Sequence, residues 1–269
     1  MPELPEVEVV CRGLHKALCG EIIESVQYFR PDLRFVLPPE LPLRCRGAEI
    51  LSVSRRGKYI LFRTSRGAIV SHLGMTGVWK EVSASGRGKH DHLCIYLRSG
   101  RRFVYSDPRR FGFVLWLEGE EDSSLFTDLG LEPLSEFFTA QALRRLLRAS
   151  KSAVKIAIMD QKKIVGVGNI YACEALFRAG IRPSRPAWRL SQAECERLCL
   201  AIRQILLEAI DFGGSTISDY RNVGGKPGAY QYQHFVYDRA GEPCKLCRSP
   251  IRRSELGGRG TYWCSVCQR

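Results

Sequence analysis

Tyr59-Ile60-Leu61-Phe62-Arg63-Thr64-Ser65-Arg66-Gly67-Ala68-Ile69-Val70 decides how the first half of this chain is read. Two short runs of β-branched, aromatic and aliphatic residues flank an Arg-Gly turn, the pattern of paired strands rather than of a helix. The same pattern recurs outward, at residues 22–26, 49–53, 93–97, 103–105 and 113–117. Ser99-Gly100 and Ser106-Asp107-Pro108 punctuate it. Many short strands at this spacing predict an antiparallel sandwich or barrel. Ahead of them, Val7, Val10, Leu14 and Leu18 repeat at helical spacing and Gly20 follows, which predicts a helix over 5–18.

Near residue 120 the pattern ends. Glu118-Gly119-Glu120-Glu121-Asp122-Ser123-Ser124 reads as a solvated linker, and helical signals follow. Residues 169–179 read as one helix, stopped by Gly180. Ser191 and Glu194 form a capping box. Behind it Cys195, Leu198, Cys199, Ile202, Leu206 and Ala209 make one apolar stripe, closed by Gly213-Gly214. The last thirty residues are rich in Gly, Arg and Cys and too short for a core of their own. The predicted divisions are 1–120, a linker at 121–135, 136–235 and 236–269.

The chain has 269 residues, with 41 Lys+Arg against 28 Asp+Glu and a formal charge of +13. An apolar fraction of 45% excludes wholesale disorder. No apolar run reaches the ~20 residues of a membrane span. The opening Met-Pro-Glu-Leu-Pro-Glu lacks the basic and apolar regions of a secretory signal, so the expected compartment is the cytoplasm. A basic surplus favours a polyanionic partner. With no basic amphipathic anchor or lipidation motif, that partner is read as nucleic acid rather than a membrane.

Cys244-Lys-Leu-Cys247 and Cys264-Ser-Val-Cys267 are two Cys-x-x-Cys knuckles separated by sixteen residues. Four thiolates at this spacing can surround one zinc ion. With all four ligands cysteine, the zinc is structural, and the net charge falls to about +11. The competing reading is two disulfides. The seven other cysteines are scattered without a pairing pattern, which favours reduced thiols and a metal. Between the knuckles, residues 251–263 read as a β-hairpin whose Gly-rich turn presents Arg259, either to phosphate oxygens or to solvent.

Met1-Pro2 is a usual substrate for removal of the initiator residue, which exposes a secondary amine at Pro2. An α-amino group with a pKa of about 8 is roughly one-fifth unprotonated at a pH of about 7.4, against about a thousandth for lysine. Such an amine can attack a sugar C1′, and the iminium so formed permits elimination of the 3′ phosphate. Glu3 and Glu6 could move protons there, or could simply favour a helix N-terminus.

Pro2-Glu3-Leu4-Pro5-Glu6-Val7-Glu8 and the four-cysteine tail closely resemble bacterial formamidopyrimidine-DNA glycosylases. The resemblance runs the length of the chain. It includes Arg55-Arg56-Gly57-Lys58-Tyr59, Ser71-His72-Leu73-Gly74-Met75, Lys89-His90-Asp91-His92 and Asp107-Pro108-Arg109-Arg110-Phe111-Gly112. It continues through Gly166-Val167-Gly168-Asn169-Ile170-Tyr171, Gly213-Gly214-Ser215-Thr216, Gly225-Lys226-Pro227-Gly228 and Gly258-Arg259-Gly260-Thr261.

The resemblance implies an α+β protein. It would have an N-terminal catalytic antiparallel β-sandwich with an N-terminal helix, a helical helix–two-turn–helix domain, and a zinc-finger hairpin. It implies a monomer that binds double-stranded DNA carrying oxidised bases or abasic sites, with one structural zinc ion on Cys244, Cys247, Cys264 and Cys267. Oxidised purines such as 8-oxoguanine and formamidopyrimidines would be excised, and the abasic strand cut by β,δ-elimination. The implied catalytic residues are Pro2 as nucleophile, Glu3 as general acid/base, Lys58 and Arg259, with Glu6 in support. His72, His90, Asn169, Lys226 and Arg259 would contact DNA. Asn169 opens a helix after the Gly166-x-Gly168 turn, where free N–H groups favour an anion. Met75, Arg109 and Phe111 would fill the void left by an extruded nucleotide. The polar, Gly-rich segment 215–231 matches the loop that closes over the flipped base.

Three departures stand out: Val9 where the family usually has Thr, Asp238 where it has Gly, and Arg248-Ser249 where it has Gly-Thr. The related endonuclease VIII type, acting on oxidised pyrimidines, starts Pro-Glu-Gly-Pro-Glu. Leu4 and the void-filling set argue against it. A zinc-dependent DNA-binding protein without catalysis would need neither Pro2 nor Glu3.

Overall fold

A computed structural model describes residues 2–83, 88–119, 124–216 and 223–269 of the protein. The expected removal of Met1, positions 120–123 of the expected linker, and positions 217–222 of the expected closing loop lie outside the described residues. Two compact units emerge, one of Met1–Thr127 with Phe212–Ala229, the other of Asp128–Asp211 with Tyr230–Arg269.

The first unit opens with α1 (Leu4–Leu18). Its start is fixed by a reciprocal Glu3/Glu6 capping box and by Pro5 in the first turn, where a missing N–H costs nothing. Its expected stripe, Val7, Val10, Leu14 and Leu18, is buried. Eight strands follow: β1 (Ile23–Tyr28), β2 (Ile50–Arg56), β3 (Tyr59–Thr64), β4 (Gly67–His72), β5 (Val78–Val82), β6 (Asp91–Leu97), β7 (Arg102–Ser106) and β8 (Phe113–Leu117). The short helix α2 (Leu41–Cys45) lies between β1 and β2, and α3 (Ser124–Thr127) follows β8.

The strands form two separate antiparallel sheets, β1-β6-β7-β5 and β2-β3-β4-β8, so the architecture is a sandwich and not a closed barrel. Ile23, Leu93, Ile95, Phe103 and Trp79 of one sheet share a core with Ile50, Ile60, Phe62, Ile69 and Trp116 of the other and with the apolar face of α1. Gly67 adopts a φ of 148°, and a Cβ there would fall 2.5 Å from Trp116. Seven of the eight strands overlap the runs read from sequence, β1 and β2 starting one residue later than read. The eighth, β5, was missed because Lys80-Glu81 breaks its apolar pattern. It is an edge strand, where charged residues discourage further pairing.

The second unit contains α4 (Ala140–Arg148), α5 (Val154–Met159), α6 (Asn169–Arg178) and α7 (Gln192–Asp211), then the hairpin β9 (Ile251–Leu256) and β10 (Arg259–Cys264). The Ser191/Glu194 box is present, with both reciprocal hydrogen bonds made. All six stripe residues of α7 are buried. Cys173 and Phe177 of α6 share a small core with Val236, Cys244, Ile251 and Cys264. The hairpin therefore packs on α6 and groups with the helices, whereas residues 212–229 group with the sandwich. No helix among the described residues is long and apolar enough to cross a membrane.

Candidate active site and metal centre

Pro2 and Glu3 are buried at the mouth of α1. The Glu3 backbone N–H donates to Glu6 Oε2 at 2.8 Å, and the Ser215 N–H donates to Glu6 Oε1 at 2.7 Å. Glu6, 2% exposed, thus spends both oxygens holding two backbone segments together: the turn that carries Pro2 and the stem of the segment expected to act as a closing loop. Sequence reading placed Glu6 in a supporting role; the geometry makes it the bracket between these segments. The stem is closed further by Ala229 N–H to Phe212 O and by Gly228 N–H to the Thr216 hydroxyl. A Cβ on Gly228 would sit 2.2 Å from Gly214 O, so only glycine fits there. Lys226 is exposed further along this segment.

Lys58 follows Gly57 at the two-residue turn joining β2 to β3, and the positive φ of 57° suits glycine as the first turn residue. It is largely buried for a lysine. Nearby, His72 Nδ1 accepts the Gly74 N–H at 3.0 Å, so the neutral ring carries its proton on Nε2. Burial, with the charges of Lys58 and Arg34, pushes the His72 pKa down to about 4. The ring stacks on Phe113 at 5.3 Å. His72 therefore enters as a neutral N–H donor beside two cations. His90 lies in the segment leading into β6, where its carbonyl accepts the Asp107 N–H at 3.0 Å.

Met75, Arg109 and Phe111 come together on two turns of the sandwich. Gly74 and Gly112 touch backbone to backbone, since a Cβ on Gly74 would fall 2.4 Å from Gly112 N. Arg109 lies over the Phe111 ring at 4.8 Å, and both are exposed. Arg110 between them holds a left-handed φ of 57°. Asp107, which sequence reading did not single out, is fully buried and accepts hydrogen bonds from both turns.

In the second unit, Asn169 begins α6, and its Nδ2 donates to Gly260 O at 3.0 Å. Its Oδ1 is buried with no hydrogen-bond partner among the described residues. Arg259 precedes Gly260 and is exposed at the start of β10, directly after Gly257 and Gly258, whose φ values of 58° and 69° make the tight turn. Asn169 is thereby tied to the residue next to Arg259. Lys155, missed from sequence, is fully buried on α5; it donates to Thr261 Oγ1 at 2.7 Å and Gly260 O at 3.2 Å. A single lysine inside Val154-Lys155-Ile156-Ala157-Ile158-Met159 was the available signal. Glu174, also missed, is buried on α6 and accepts the N–H groups of Phe235, Val236 and Tyr237 at 2.8–2.9 Å. Burial raises its pKa and those three N–H groups pull it back.

The sulfurs of Cys244, Cys247, Cys264 and Cys267 all lie within 4.8 Å of one another. Pairs at 3.4 and 3.9 Å bracket the ~3.8 Å edge of a tetrahedron with zinc–sulfur bonds of about 2.3 Å. All four cysteines are free, which removes the disulfide reading. The Ser249 backbone N–H leads in lowering the Cys247 thiol to about 6, while burial raises Cys264 and Cys267. Four thiolates in so small a space need a cation between them.

Three family models match the chain: the formamidopyrimidine-DNA glycosylase N-terminal domain over residues 1–114, the H2TH domain of the same enzymes over 129–221, and a zinc finger found in FPG and IleRS over 241–269. A formamidopyrimidine-DNA glycosylase of Stutzerimonas stutzeri is 47% identical over 270 residues, covering all of both chains. The MutM (Fpg) protein of Thermus thermophilus superposes with a TM-score of 0.89 at 40% identity, covering 99% of this chain and 98% of that one. The Lactococcus lactis Fpg, solved in complex with DNA containing an abasic site, gives 0.91 at 34% identity with 99% of each chain covered.

Proposed function

The chain belongs to the formamidopyrimidine-DNA glycosylase family, and from that premise we infer that it is a base-excision repair enzyme, both glycosylase and abasic-site lyase, with one structural zinc ion on its four-cysteine tail. Its substrate is DNA carrying oxidised purines such as 8-oxoguanine and formamidopyrimidines, or abasic sites. The carrying observation is full-length similarity to named relatives with Pro2-Glu3 intact at a buried turn. The alternative with endonuclease VIII specificity is not favoured, since the relatives named here are formamidopyrimidine-DNA glycosylases. The relatives are bacterial, which supports action in the cytoplasm at the nucleoid. One chain carries every assigned residue, which supports action as a monomer.

The reaction follows from the residues. With Met1 removed, the Pro2 nitrogen attacks C1′; the N-glycosidic bond breaks and the base leaves with a proton. Glu3, adjacent in sequence, protonates the opening sugar ring. The resulting iminium withdraws electrons from C2′, so loss of a C2′ proton expels the 3′ phosphate. A second elimination expels the 5′ phosphate, and water then releases the proline. Lys58 and His72 on the sandwich, and Asn169 and Arg259 on the helical unit, hold phosphates; Lys226 and His90 are further DNA contacts. Met75, Arg109 and Phe111 occupy the gap left by the extruded nucleotide, whose extrusion costs a few kcal/mol.

Borohydride should trap a covalent protein–DNA adduct through Pro2. The purified chain should lack Met1 by mass spectrometry, and Pro2→Gly should lose most of the adduct. A panel of duplexes carrying 8-oxoguanine, formamidopyrimidine, thymine glycol or an abasic site should favour the two purine lesions over thymine glycol. Undiminished trapping by Pro2→Gly would move the nucleophile to another residue.

A further inference from the structure

We propose that Asp107 is the positioning residue of the void-filling set, a buried carboxylate that locks the Met75 turn and the Arg109–Phe111 loop into one wedge; this rests on reading the chain as a base-extruding glycosylase. Asp107 is fully buried, immediately after β7. Its Oδ1 accepts the Thr76 hydroxyl at 2.5 Å, the residue next to Met75, and the Arg109 N–H at 3.3 Å. Its Oδ2 accepts the Gly112 N–H at 2.9 Å, the residue next to Phe111. Thr76 Oγ1 also accepts the Arg109 N–H at 3.2 Å, closing a ring of hydrogen bonds. One carboxylate therefore touches the chain neighbour of two void-filling residues and the backbone of the third.

The backbone of Asp107 is as firmly held. Its N–H donates to His90 O at 3.0 Å, and its carbonyl pairs with His92 Nε2 at 2.8 Å. Behind both turns stands the Tyr105 hydroxyl, which donates to His72 O at 3.0 Å. A Cβ on Gly77 or Gly112 would fall 2.3 or 1.8 Å from that oxygen. The turns are thus packed against a buried tyrosine and drawn together by Asp107. A wedge that must enter a base stack gains from such pre-organisation, because any looseness is lost as entropy on binding.

Asp107→Asn keeps the size and removes one acceptor. It also makes the protein more positive, so weaker general attraction to DNA cannot explain a loss. Two substrates separate wedge placement from catalysis: a duplex carrying 8-oxoguanine opposite cytosine, which must be kinked and filled, and a single-stranded abasic oligonucleotide, which has no void. Duplex excision by Asp107→Asn should fall by about 10–100-fold, together with the fluorescence rise of 2-aminopurine beside the lesion. Borohydride trapping on the single strand should stay near wild type. Thr76→Val should reproduce the split more weakly, and Thr76→Ser should restore it. Equal loss on both substrates, or none on the duplex, overturns the proposal. Failure of the wild-type protein to trap abasic DNA would instead overturn the glycosylase–lyase reading.

Discussion

His72 and His234 show how burial sets the chemistry of a single ring. Both titrate near 4 instead of 6.5, with burial the leading cause in each; Lys58 adds to it at His72 and Lys245 at His234. In the unfolded chain each ring takes up a proton as the pH falls through about 6.5, whereas in the folded chain each resists until near 4. The unfolded state therefore binds more protons between those values. Stability should rise with pH across that window and be lost as the solution is acidified through it. Urea midpoints from pH 7.5 to 4 check this, and His234→Gln should flatten the slope. Ion-paired carboxylates act lower: Glu194, drawn down to about 2 chiefly by Arg185, loses its contribution only below 4.5. At this scale the sequence was most legible where a residue's type is its chemistry, as for the four tail cysteines. It was least legible where chemistry is conferred by distant neighbours. Asp107 matters through Thr76 and Gly112, and Lys155 through Gly260 and Thr261, contacts that spacing along the chain does not reveal.

Among the elements, the zinc module carries the clearest mark of this particular sequence. Arg248 and Asp238 occupy positions where the family resemblance led us to expect glycine, and both hold left-handed backbones, with φ of 66° and 58°. An L-residue pays about 1–2 kcal/mol there, while glycine costs roughly 0.4–1 kcal/mol in unfolded-chain entropy. Arg248→Gly should therefore stabilise the zinc-loaded protein by roughly 0.5–1 kcal/mol, read as a higher urea midpoint. Asp238→Gly should gain less, because aspartate tolerates this conformation better and its carboxylate also accepts the Tyr262 hydroxyl at 3.4 Å. Equal gains from the two would show that side-chain type makes no difference at these turns. Elements with strong periodicity or turn chemistry were legible beforehand: α1, α7, the β9–β10 hairpin and seven strands. Those held by contacts from outside were not. β5 pairs through its whole length with β7 despite its charged centre, and α4 carries four polar or charged residues around a buried Leu143 and Leu147.

For the whole molecule, a charge of +13 says that DNA is attracted but not which cations hold it. Many are engaged internally: Arg101 with Glu81, Arg178 with Glu208 and Arg185 with Glu194 form ion pairs, and Lys155 is buried. Arg259 differs, being exposed at the start of β10, which ends at the zinc ligand Cys264, and next to Gly260, whose carbonyl is held by Asn169 and Lys155. A cation so placed releases counterions when it meets a phosphate, and each such contact steepens the dependence of log K on log salt by about 0.9. Arg259→Ala should weaken binding to damaged and undamaged duplexes by a similar factor, because a phosphate contact reads no base, and should flatten the salt slope by roughly one phosphate. Removing zinc with a chelator should flatten it in the same direction in the wild type but add little in Arg259→Ala, since the hairpin acts through that side chain. Fluorescence-anisotropy titrations at four salt concentrations measure both. A slope unchanged by Arg259→Ala would make the hairpin a structural cap on the helical unit, and the phosphate grip would then fall to Lys58, His72 and Asn169.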